Sequence, residues 1–440
     1  MALTGRIALV AVLAAALIGV LGVFFGIGAT TAWWLVAAAG TALLLGAFID
    51  VAVAGRIADL RMERSGATTT RQGETVTVTL AVANAGRRRV RGVLRDAWVP
   101  SAGATPRTQP LDVPPGERRR LTTALTPTRR GDRAAAQVTV RSVGPLGLAA
   151  RQRRHRVRWV LRVLPPFASR KFLPEKLARL RELDGAVTLN RRGQGTEFDS
   201  LREYVIGDDV RSIDWRGTAR GGGVVVVRTW RPERDRRLMC VIDTGRTSAA
   251  RVGDIPRLDA ALDACLLLAA VAARAGDRVD LLAADDLVRA SAEGLSRQEV
   301  LPRLVQAMAL LEPALVESDA GLVVSEVLRR ERKRSLVVWF TSLDAAPVEL
   351  GLLPVLGALV ARHTVLIAAV GDPTVAAMSG GRGDVEAVYG AAAAEQSLAE
   401  RRRITALLRR RGVLVVDEPA DVFPSRVTDA YLDLKAAGRL

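Results

Sequence analysis

The sequence has no charged residue between Arg6 and Asp50, a run of 43 positions. A single helix needs about 20 apolar residues to cross a bilayer. The run therefore predicts two membrane-spanning helices, at about residues 7–27 and 33–53, joined by a turn rich in glycine and threonine. We interpret residues 1–55 as a transmembrane hairpin. A cleaved signal peptide is the alternative, but the apolar run is long for one and a second span follows directly.

Basic residues flank this run on both sides, and the turn inside it carries no charge. Arg6 precedes the first predicted helix, and Arg56, Arg61 and Arg64 follow the second. Because basic flanks stay on the cytoplasmic side, we expect a multi-pass protein of the cell membrane with cytoplasmic soluble domains and the lipid bilayer as an integral partner. Asp50 ends the second span close to the interface, so we expect a solvated carboxylate there rather than an intramembrane site.

The composition narrows the possible chemistry. The chain has 64 basic and 46 acidic residues and a net charge of +18, which would suit nucleic acid or anionic lipid. Nearly all of the basic residues are arginine and alanine is abundant, so a GC-rich genome explains the excess equally well. We do not expect a nucleic-acid partner. Two cysteines, Cys240 and Cys265, make no disulfide framework, and two histidines leave little basis for a zinc site or a Ser-His-Asp triad.

After residue 56 the apolar pattern becomes alternating, which is typical of half-buried β-strands. In the clearest case, residues 75–82, valine and leucine lie on one face and mostly threonine on the other. Similar runs cover residues 90–98, 119–125, 136–143 and 157–163, with turn-forming glycine and proline between several of them. We predict a small antiparallel β-sandwich over residues 56–165.

Residues 166–235 contain a charged helical connector and then a segment in which opposite charges alternate. Within residues 197–220, six carboxylates and four arginines are closely spaced, with aromatic and apolar side chains between them. This pattern favours a partly buried network of ion pairs that fixes a loop against a core. A metal-dependent hydrolase is the alternative, in which two of the carboxylates hold an ion or share acid–base work.

The same segment resembles the signature of the domain-of-unknown-function 58 family, which contains Glu-Phe, Leu-Arg-Glu-Tyr, Gly-Asp, Arg-x-Ile-Asp-Trp and Ala-Arg. The matching signature residues are Gly195, Glu197, Phe198, Leu201, Arg202, Glu203, Tyr204, Gly207, Asp208, Arg211, Ile213, Asp214, Trp215, Ala219 and Arg220. The resemblance implies a membrane hairpin, a β module and a C-terminal domain similar to the von Willebrand factor A domain. It also implies a MoxR-type AAA+ ATPase as a partner in the assembly or maturation of a client protein, and it points to no catalytic activity.

Residues 236–440 alternate predicted strands and helices. Apolar runs predict strands at 238–242, 279–283, 336–340, 365–370 and 413–416, and residues 258–273 form a helix with one apolar face. This order predicts a doubly wound α/β sheet. Ligands of such sheets bind at the carboxyl ends of the strands, so the turns after Ile242 and Phe340 are the candidate positions.

The resemblance to a von Willebrand A domain draws attention to the turn after Ile242. That domain has Asp-x-Ser-x-Ser there, and the carboxylate and hydroxyls are suited to Mg²⁺. This chain keeps Asp243 and has Thr247 at the fifth position, but Gly245 replaces the first serine and the later aspartate, Asp344, is displaced by two residues. Two interpretations remain, a degenerate Mg²⁺ site or an Asp243 that caps the turn through backbone amides.

These features together predict a membrane-tethered cytoplasmic adaptor or scaffold. Its von Willebrand A-like domain would present an assembly surface to an AAA+ ATPase or to a client protein. The sequence assigns no catalytic residue.

Overall fold

The computed structural model describes residues 2–190, 197–206, 208–220, 222–231, 236–294 and 298–440. The chain divides into two compact units, Met1–Leu164 and Pro165–Leu440. The first unit starts with two helices, α1 (Gly5–Phe25) and α2 (Ala29–Val53), which are long and apolar enough to cross a membrane. Gly26 ends α1 with a φ of 60°, a conformation that suits glycine.

The second helix begins earlier than the predicted residue 33. Thr30 and Thr31, predicted as part of the turn, lie in the first turn of α2. The three residues from Gly26 to Gly28 are sufficient to connect the two helices, because Gly26 adopts the left-handed conformation.

The rest of the first unit is a β-module made of two sheets. Its strands are β1 (Ala2–Leu3), β2 (Leu60–Gly66), β3 (Thr69–Arg71), β4 (Val76–Asn84), β5 (Val90–Trp98), β6 (Ala104–Thr105), β7 (Thr108–Val113), β8 (Arg118–Leu125), β9 (Gly131–Val143), β10 (Ala149–His155) and β11 (Val160–Leu164). One sheet has the order β2-β4-β8-β6. The other has the order β1-β10-β9-β11-β3, with β5 paired to both β9 and β7.

The two sheets share a buried interior. Leu80 and Val82 of β4 lie in one apolar cluster with Leu94 of β5 and Val138 of β9, so side chains of both sheets pack together. These residues come from the alternating runs of the sequence, whose other face stays towards solvent. The observed sheets are therefore consistent with the expected sandwich, except that β3 and β11 pair in parallel where an antiparallel arrangement was predicted.

A charged pair lies inside the β-module. Both ends of the Arg64 guanidinium donate to the Asp96 carboxylate, at 2.8 and 2.6 Å, and both side chains are buried. Arg64 also donates to the Val157 carbonyl (3.1 Å), and Trp98 Nε1 donates to Asp96 (3.0 Å). Arg64 therefore does not act as a flanking charge of α2, as the sequence suggested, because its partner lies in β5.

Asp50 also differs from the expectation. Its side chain is fully buried rather than solvated. The carboxylate accepts backbone hydrogen bonds from Leu146, Leu148 and Ala149, because the turn between β9 and β10 folds over the last turn of α2.

The second unit is built around a six-stranded sheet with the order β18-β17-β14-β19-β20-β21. The strands of this unit are β12 (Glu197–Glu203), β13 (Val226–Arg231), β14 (Arg237–Asp243), β15 (Arg251–Val252), β16 (Ile255–Pro256), β17 (Arg278–Ala284), β18 (Val288–Ala292), β19 (Leu336–Phe340), β20 (Thr364–Gly371) and β21 (Leu414–Pro419). Within the sheet, β18 pairs antiparallel with β17 and the other described pairs are parallel.

The helices of this unit are α3 (Leu173–Asn190), α4 (Trp215–Arg220), α5 (Arg257–Arg274), α6 (Val300–Ala309), α7 (Ala320–Arg330), α8 (Leu353–Val360), α9 (Pro373–Met378), α10 (Val385–Arg410) and α11 (Phe423–Ala436). Side chains of α7, α8 and α10 pack with Met239 and Val241 of β14 in one buried cluster. The alternate residue, Cys240, lies next to Cys265 of α5, and both thiols are buried. Helices therefore cover both faces of the sheet.

Two acids share a buried position in this unit. Glu331 follows α7 and interacts with Asp280 of β17, and Arg237 lies 3.5 Å from the Glu331 carboxylate. Burial, followed by the effect of Asp280, raises the pKa of Glu331 to about 7, although Arg237 acts in the opposite direction. The folded protein therefore holds this proton more tightly than the unfolded chain does.

This difference in proton affinity predicts a pH dependence of stability. Unfolded glutamate ionises near pH 4.5, so we expect the free energy of unfolding to fall as the pH rises from about 4.5 to about 7. Glu331→Gln should remove this part of the decline. Urea unfolding across that pH window, followed by hydrogen exchange of β17 and α7, measures the slope.

A matched control lies on α7 itself. Arg329 and Arg330 lower the pKa of Glu326 to about 2, so its ionisation does not change in the same window. Glu326→Gln should keep the wild-type slope. A Glu331→Gln slope equal to that of the wild type would contradict the prediction.

Candidate functional site

The signature segment forms a small antiparallel pair of strands with a short helix between them. Strand β12 pairs with β13, with an irregularity between Phe198 and Ser200. Helix α4 begins after Asp214, whose carboxylate accepts the backbone amide of Gly217 at 2.9 Å. The Asp214 backbone amide in turn donates to the Val226 carbonyl (2.9 Å), which connects α4 to β13.

The acidic side chains of this segment bind nearby donors. Asp208 accepts from Arg202 (2.6 Å), and Asp214 accepts from Arg228 (2.8 Å). The Arg228 hydrogen bond, followed by the Gly217 amide, lowers the pKa of Asp214. The Asp209 carboxylate accepts its neighbouring backbone amide at position 211.

These contacts are ion pairs within the segment. In Arg202–Asp208 and Arg228–Asp214 the arginine side chains are 39 % and 44 % exposed and the acids 18 % and 13 %. The pairs stabilise the shape of the segment itself. In the described part of the segment they do not form a continuous lattice, because each arginine reaches an acid within its own turn or adjoining strand.

Large apolar side chains of the segment are exposed. Ile206 is 96 % exposed and Trp215 is 69 % exposed, and Val205 and Val210 are exposed as well. A cluster of exposed apolar side chains in one segment is typical of an interaction site, whereas isolated ones are common on any surface. Periodicity could not reveal this exposure, because Val205 and Ile206 lie outside helices and strands, and Val210 and Trp215 begin helices that are too short to show a period.

The other signature residues divide by their surroundings. Tyr204 and Ile213 are half-buried, and their backbones pair with the chain around β13. The exposed ones are Leu201, Glu203, Arg211, Ala219 and Arg220. Gly195 and Gly207 lie outside the described residues, and Glu197 and Phe198 are described only as backbone of β12.

A second candidate position lies at the carboxyl end of the main sheet. Strand β14 is flanked by β17 on one side and by β19 on the other, so the strand order changes direction here. In open α/β sheets, ligands bind outside the carboxyl ends of strands at such a point. Asp243 ends β14 and Thr341 directly follows β19, as the sequence analysis expected for this position.

Asp243 is buried, and protein groups occupy both of its carboxylate oxygens. Oδ1 accepts the Gly245 backbone amide (2.8 Å) and the Ser318 hydroxyl, and Oδ2 accepts the Thr341 hydroxyl at 2.6 Å. The bond from Gly245 is the backbone cap that the sequence left open as one interpretation. Sequence reasoning missed Ser318, because it comes from the distant turn before α7 and carries no local signal.

The donor set does not fit the Mg²⁺ site of a von Willebrand A domain. A side chain at Gly245 would overlap the Ser318 hydroxyl, so the position of the first missing ligand is already filled. Asp344 lies 3.5 Å from Arg257, and Thr247 lies in a short 3₁₀ helix over residues 246–249. One carboxylate with both oxygens engaged remains, and the described residues contain no group of three metal-binding side chains.

One known protein family is similar to the part of the chain that contains both the signature segment and Asp243. The model of one family, Protein of unknown function DUF58, matches residues 200–410. These residues are the part of the chain that is similar to this family. It begins in β12, includes most of the signature and ends with α10, and it confirms the resemblance drawn from the signature residues for this part of the chain.

Two mycobacterial proteins without a described function are similar to part of this chain. An uncharacterized protein of Mycobacterium tuberculosis, Rv1480, is 29 % identical over 184 residues, and Mb1516 of Mycobacterium bovis matches to the same extent. The matched part is 41 % of this chain and 56 % of each relative, so the chain spans little more than half the length of these curated relatives.

Among solved structures, the CARDB domain of the PF1109 protein from Pyrococcus furiosus is 18 % identical. The match covers 24 % of this chain and 87 % of that domain, with a TM-score of 0.17. A TM-score of this size supports no conclusion about fold or ligand.

Proposed function

We propose that the protein is a membrane-tethered adaptor of the cytoplasmic face, in which the signature segment of the DUF58 region binds a MoxR-type AAA+ ATPase and the two act on a client protein. In this proposal the α/β domain of residues 236–440 is of the von Willebrand A type. It serves as a rigid support for the signature segment and has no catalytic role.

The exposed apolar surface of the signature segment carries this proposal. Ile206 and Trp215 are largely exposed. Burial of such side chains in a complex supplies binding free energy, and tryptophan is enriched among the residues that contribute most. The adjoining Arg202–Asp208 and Arg228–Asp214 pairs hold the backbone around them in place, so the surface is formed before a partner binds.

The membrane tether is supported by α1 and α2. Both are apolar, and most of their residues are exposed in the isolated chain, unlike the core helix α5. With Arg64 inside the β-module, the positive flanks are Arg6, Arg56 and Arg61. All three lie at the same end of the hairpin, which favours a cytoplasmic position for both soluble units.

The engaged acids argue against the hydrolase alternative. A pair of catalytic carboxylates needs free oxygens directed at a common point. Asp208 and Asp214 instead bind their own arginines, and Asp209 caps a backbone amide. Three of the four signature acids whose side chains are described are therefore already engaged within the segment.

Affinity purification of the full chain from native membranes tests the proposal. With and without ATP, we expect an AAA+ ATPase to co-purify. Trp215→Ala should reduce its recovery by about tenfold, the effect of losing one well-buried interface tryptophan. Leu350→Ser is the matched control, because Leu350 is an exposed apolar residue of the same unit outside the signature segment.

Two results would contradict the adaptor proposal. One is that no AAA+ ATPase co-purifies with the chain, or that the Trp215→Ala variant recovers as much ATPase as the wild type. The other is turnover of a phosphodiester or peptide substrate by the purified protein with Mg²⁺ or Mn²⁺, if Asp214→Asn abolishes it. Extraction of the chain by alkaline carbonate would contradict the membrane tether separately.

A further inference from the structure

The turn between β9 and β10, residues 144–148, lies against the last two turns of α2. A side chain placed at Gly46 of α2 would contact the Cδ1 atoms of both Leu148 and Leu146. Gly46 precedes Asp50 by one helical turn, towards the apolar middle of the helix. The turn therefore reaches back along α2 from its C-terminal end towards the middle of the helix. It lies alongside the apolar surface of that helix.

Asp50 provides the hydrogen-bond acceptor for this turn. Its Oδ1 accepts the Leu146 amide at 2.7 Å, and its Oδ2 accepts the amides of Leu148 (2.7 Å) and Ala149 (2.9 Å). The carboxylate is fully buried, so it receives these donors in place of water. A side chain at Gly144 would overlap the carboxylate, which explains why a glycine stands there.

The remaining backbone donors of the turn are also satisfied within the protein. The Gly144 amide donates to the Ala149 carbonyl, and the Gly147 amide donates to the Gly144 carbonyl, each at 3.2 Å. Pro145 has no amide proton. Every backbone donor from residue 144 to residue 149 thus has a protein acceptor.

This arrangement meets the requirement that hydrocarbon imposes on a loop. In a bilayer interior no water is present to accept backbone hydrogen bonds, so irregular backbone is tolerated only where the protein satisfies it. In a loop exposed to water, solvent can accept the backbone hydrogen bonds. Burial of an aspartate to accept them would then cost desolvation free energy with no gain.

The side chain at the tip of the turn is apolar. Leu146 is 54 % exposed. In the adjoining part of α2, the side chains of Leu45, Phe48 and Ile49 are exposed as well. Leu146 and these three side chains lie near the same end of the predicted membrane span, where apolar side chains are exposed around the helix. The partner that fits a surface of this kind is the acyl chain region of a lipid bilayer.

We infer that the turn at residues 144–148 enters the bilayer at the boundary of the hydrocarbon region, with Leu146 in contact with acyl chains and Asp50 replacing water as the acceptor for its backbone. The inference rests on the proposed membrane tether. It fixes the β-module directly on the membrane surface, so that the module is not free to move on a linker.

The ends of both helices support a fixed position. The Thr4 hydroxyl, just before α1, donates to the carbonyls of Gly147 (2.5 Å) and Leu148 (3.0 Å). Arg151 donates to the Val51 carbonyl at the end of α2, at 2.8 Å. The turn is therefore bonded to the amino end of one helix and the carboxyl end of the other.

The test places an environment-sensitive NBD fluorophore on the turn of the full chain, reconstituted in phosphatidylcholine vesicles. Leu146→Cys is labelled in folded protein, where Cys240 and Cys265 are buried, and the unsubstituted chain gives the background. We expect blue-shifted emission at position 146, and quenching by lipids brominated near the headgroup that exceeds quenching by lipids brominated near the chain end.

Thr128→Cys is the matched control within the β-module. It follows β8, whose Leu125 pairs with Val76 at the end of β4 away from α2. Strand β4 spans about 27 Å at roughly 3.4 Å per residue, which places Thr128 far from the helix end. We expect water-like emission and no quenching by brominated lipid at this position.

A second pair of variants tests the role of the carboxylate. Asp50→Asn would direct amide donors at the turn's own donors, so the label at position 146 should shift towards water-like emission and lose its quenching. Asp112→Asn removes an exposed acid of the same module and should leave the label unchanged.

The outcomes separate this inference from the membrane tether. Water-like, unquenched emission at position 146 in a chain that resists carbonate extraction would overturn the inference and leave the tether intact. Loss of the whole chain on carbonate extraction would overturn both. If the label at position 146 is quenched equally with Asp50 and with Asp50→Asn, the role assigned to Asp50 is overturned.

Discussion

Asp243→Ala is expected to lower the free energy of unfolding of the α/β domain by about 3–5 kcal/mol. The carboxylate accepts the Gly245 amide and the hydroxyls of Ser318 and Thr341 in a buried position. Its removal leaves three donors without an acceptor and separates the turns that follow β14 and β19. Hydrogen exchange of these strands in the full chain in detergent measures the loss.

The control for this prediction is Asp344→Ala. Asp344 is partly exposed and lies 3.5 Å from Arg257, and ion pairs of this kind contribute about 1 kcal/mol or less. Equal destabilisation by the two variants would show that the Asp243 cluster has no special role. A melting temperature that Mg²⁺ raises in the wild type but not in Asp243→Ala would show that the pocket binds metal after all.

The second large effect is expected in the β-module. Asp96→Ala leaves the Arg64 guanidinium buried without its carboxylate and removes the acceptor of Trp98 Nε1. Loss of one partner of a buried pair costs about 3–5 kcal/mol, because the remaining charge stays desolvated. Faster hydrogen exchange of β2 and β5 in the full chain would report this destabilisation.

A double variant distinguishes the stranded charge from the lost packing. Arg64→Met together with Asp96→Leu replaces the pair by apolar groups, an exchange that is often neutral or stabilising. We expect it to recover most of the stability lost in Asp96→Ala. Asp112→Ala, which breaks the exposed Arg89–Asp112 pair, should change little. If the double variant is as unstable as Asp96→Ala, packing rather than charge accounts for the effect.

The elements that the sequence predicted are those with a strong apolar period. Strand β5 matches the alternating run at residues 90–98, and α5 extends the predicted helix at 258–273 by one residue at each end. The continuous apolar runs became β14, β19 and β20 of the parallel sheet. In these segments the side chains that define the period are those that pack in the core, so the pattern and the structure have one cause.

Two of the strands that were not predicted are polar. Strands β2 and β10 contain several arginines and few apolar residues, and they are held by backbone pairing with β4 and β9. An edge or partly exposed strand needs little apolar surface of its own, so no period marks it. Arg64 shows the same limit, since its burial depends on Asp96, which lies in a different sheet.

The candidate sites show what spacing can and cannot indicate. The position of Asp243 at a strand end followed from the order of strands and helices. The contribution of Ser318 depends on a contact across 75 residues, and the role of Asp50 depends on one across 96 residues or more. Such contacts form only in the folded chain, and the residue types involved are not sufficient to predict them.

The buried thiols of Cys240 and Cys265 give the α/β domain an internal reporter of its opening. Burial raises the pKa of Cys265, so the reactive thiolate forms only when the helix α5 separates from β14. The rate at which an alkylating reagent modifies these thiols therefore reports how often the interior of the domain opens to solvent. That rate can be followed in intact cells, without extracting the chain from its lipid surroundings.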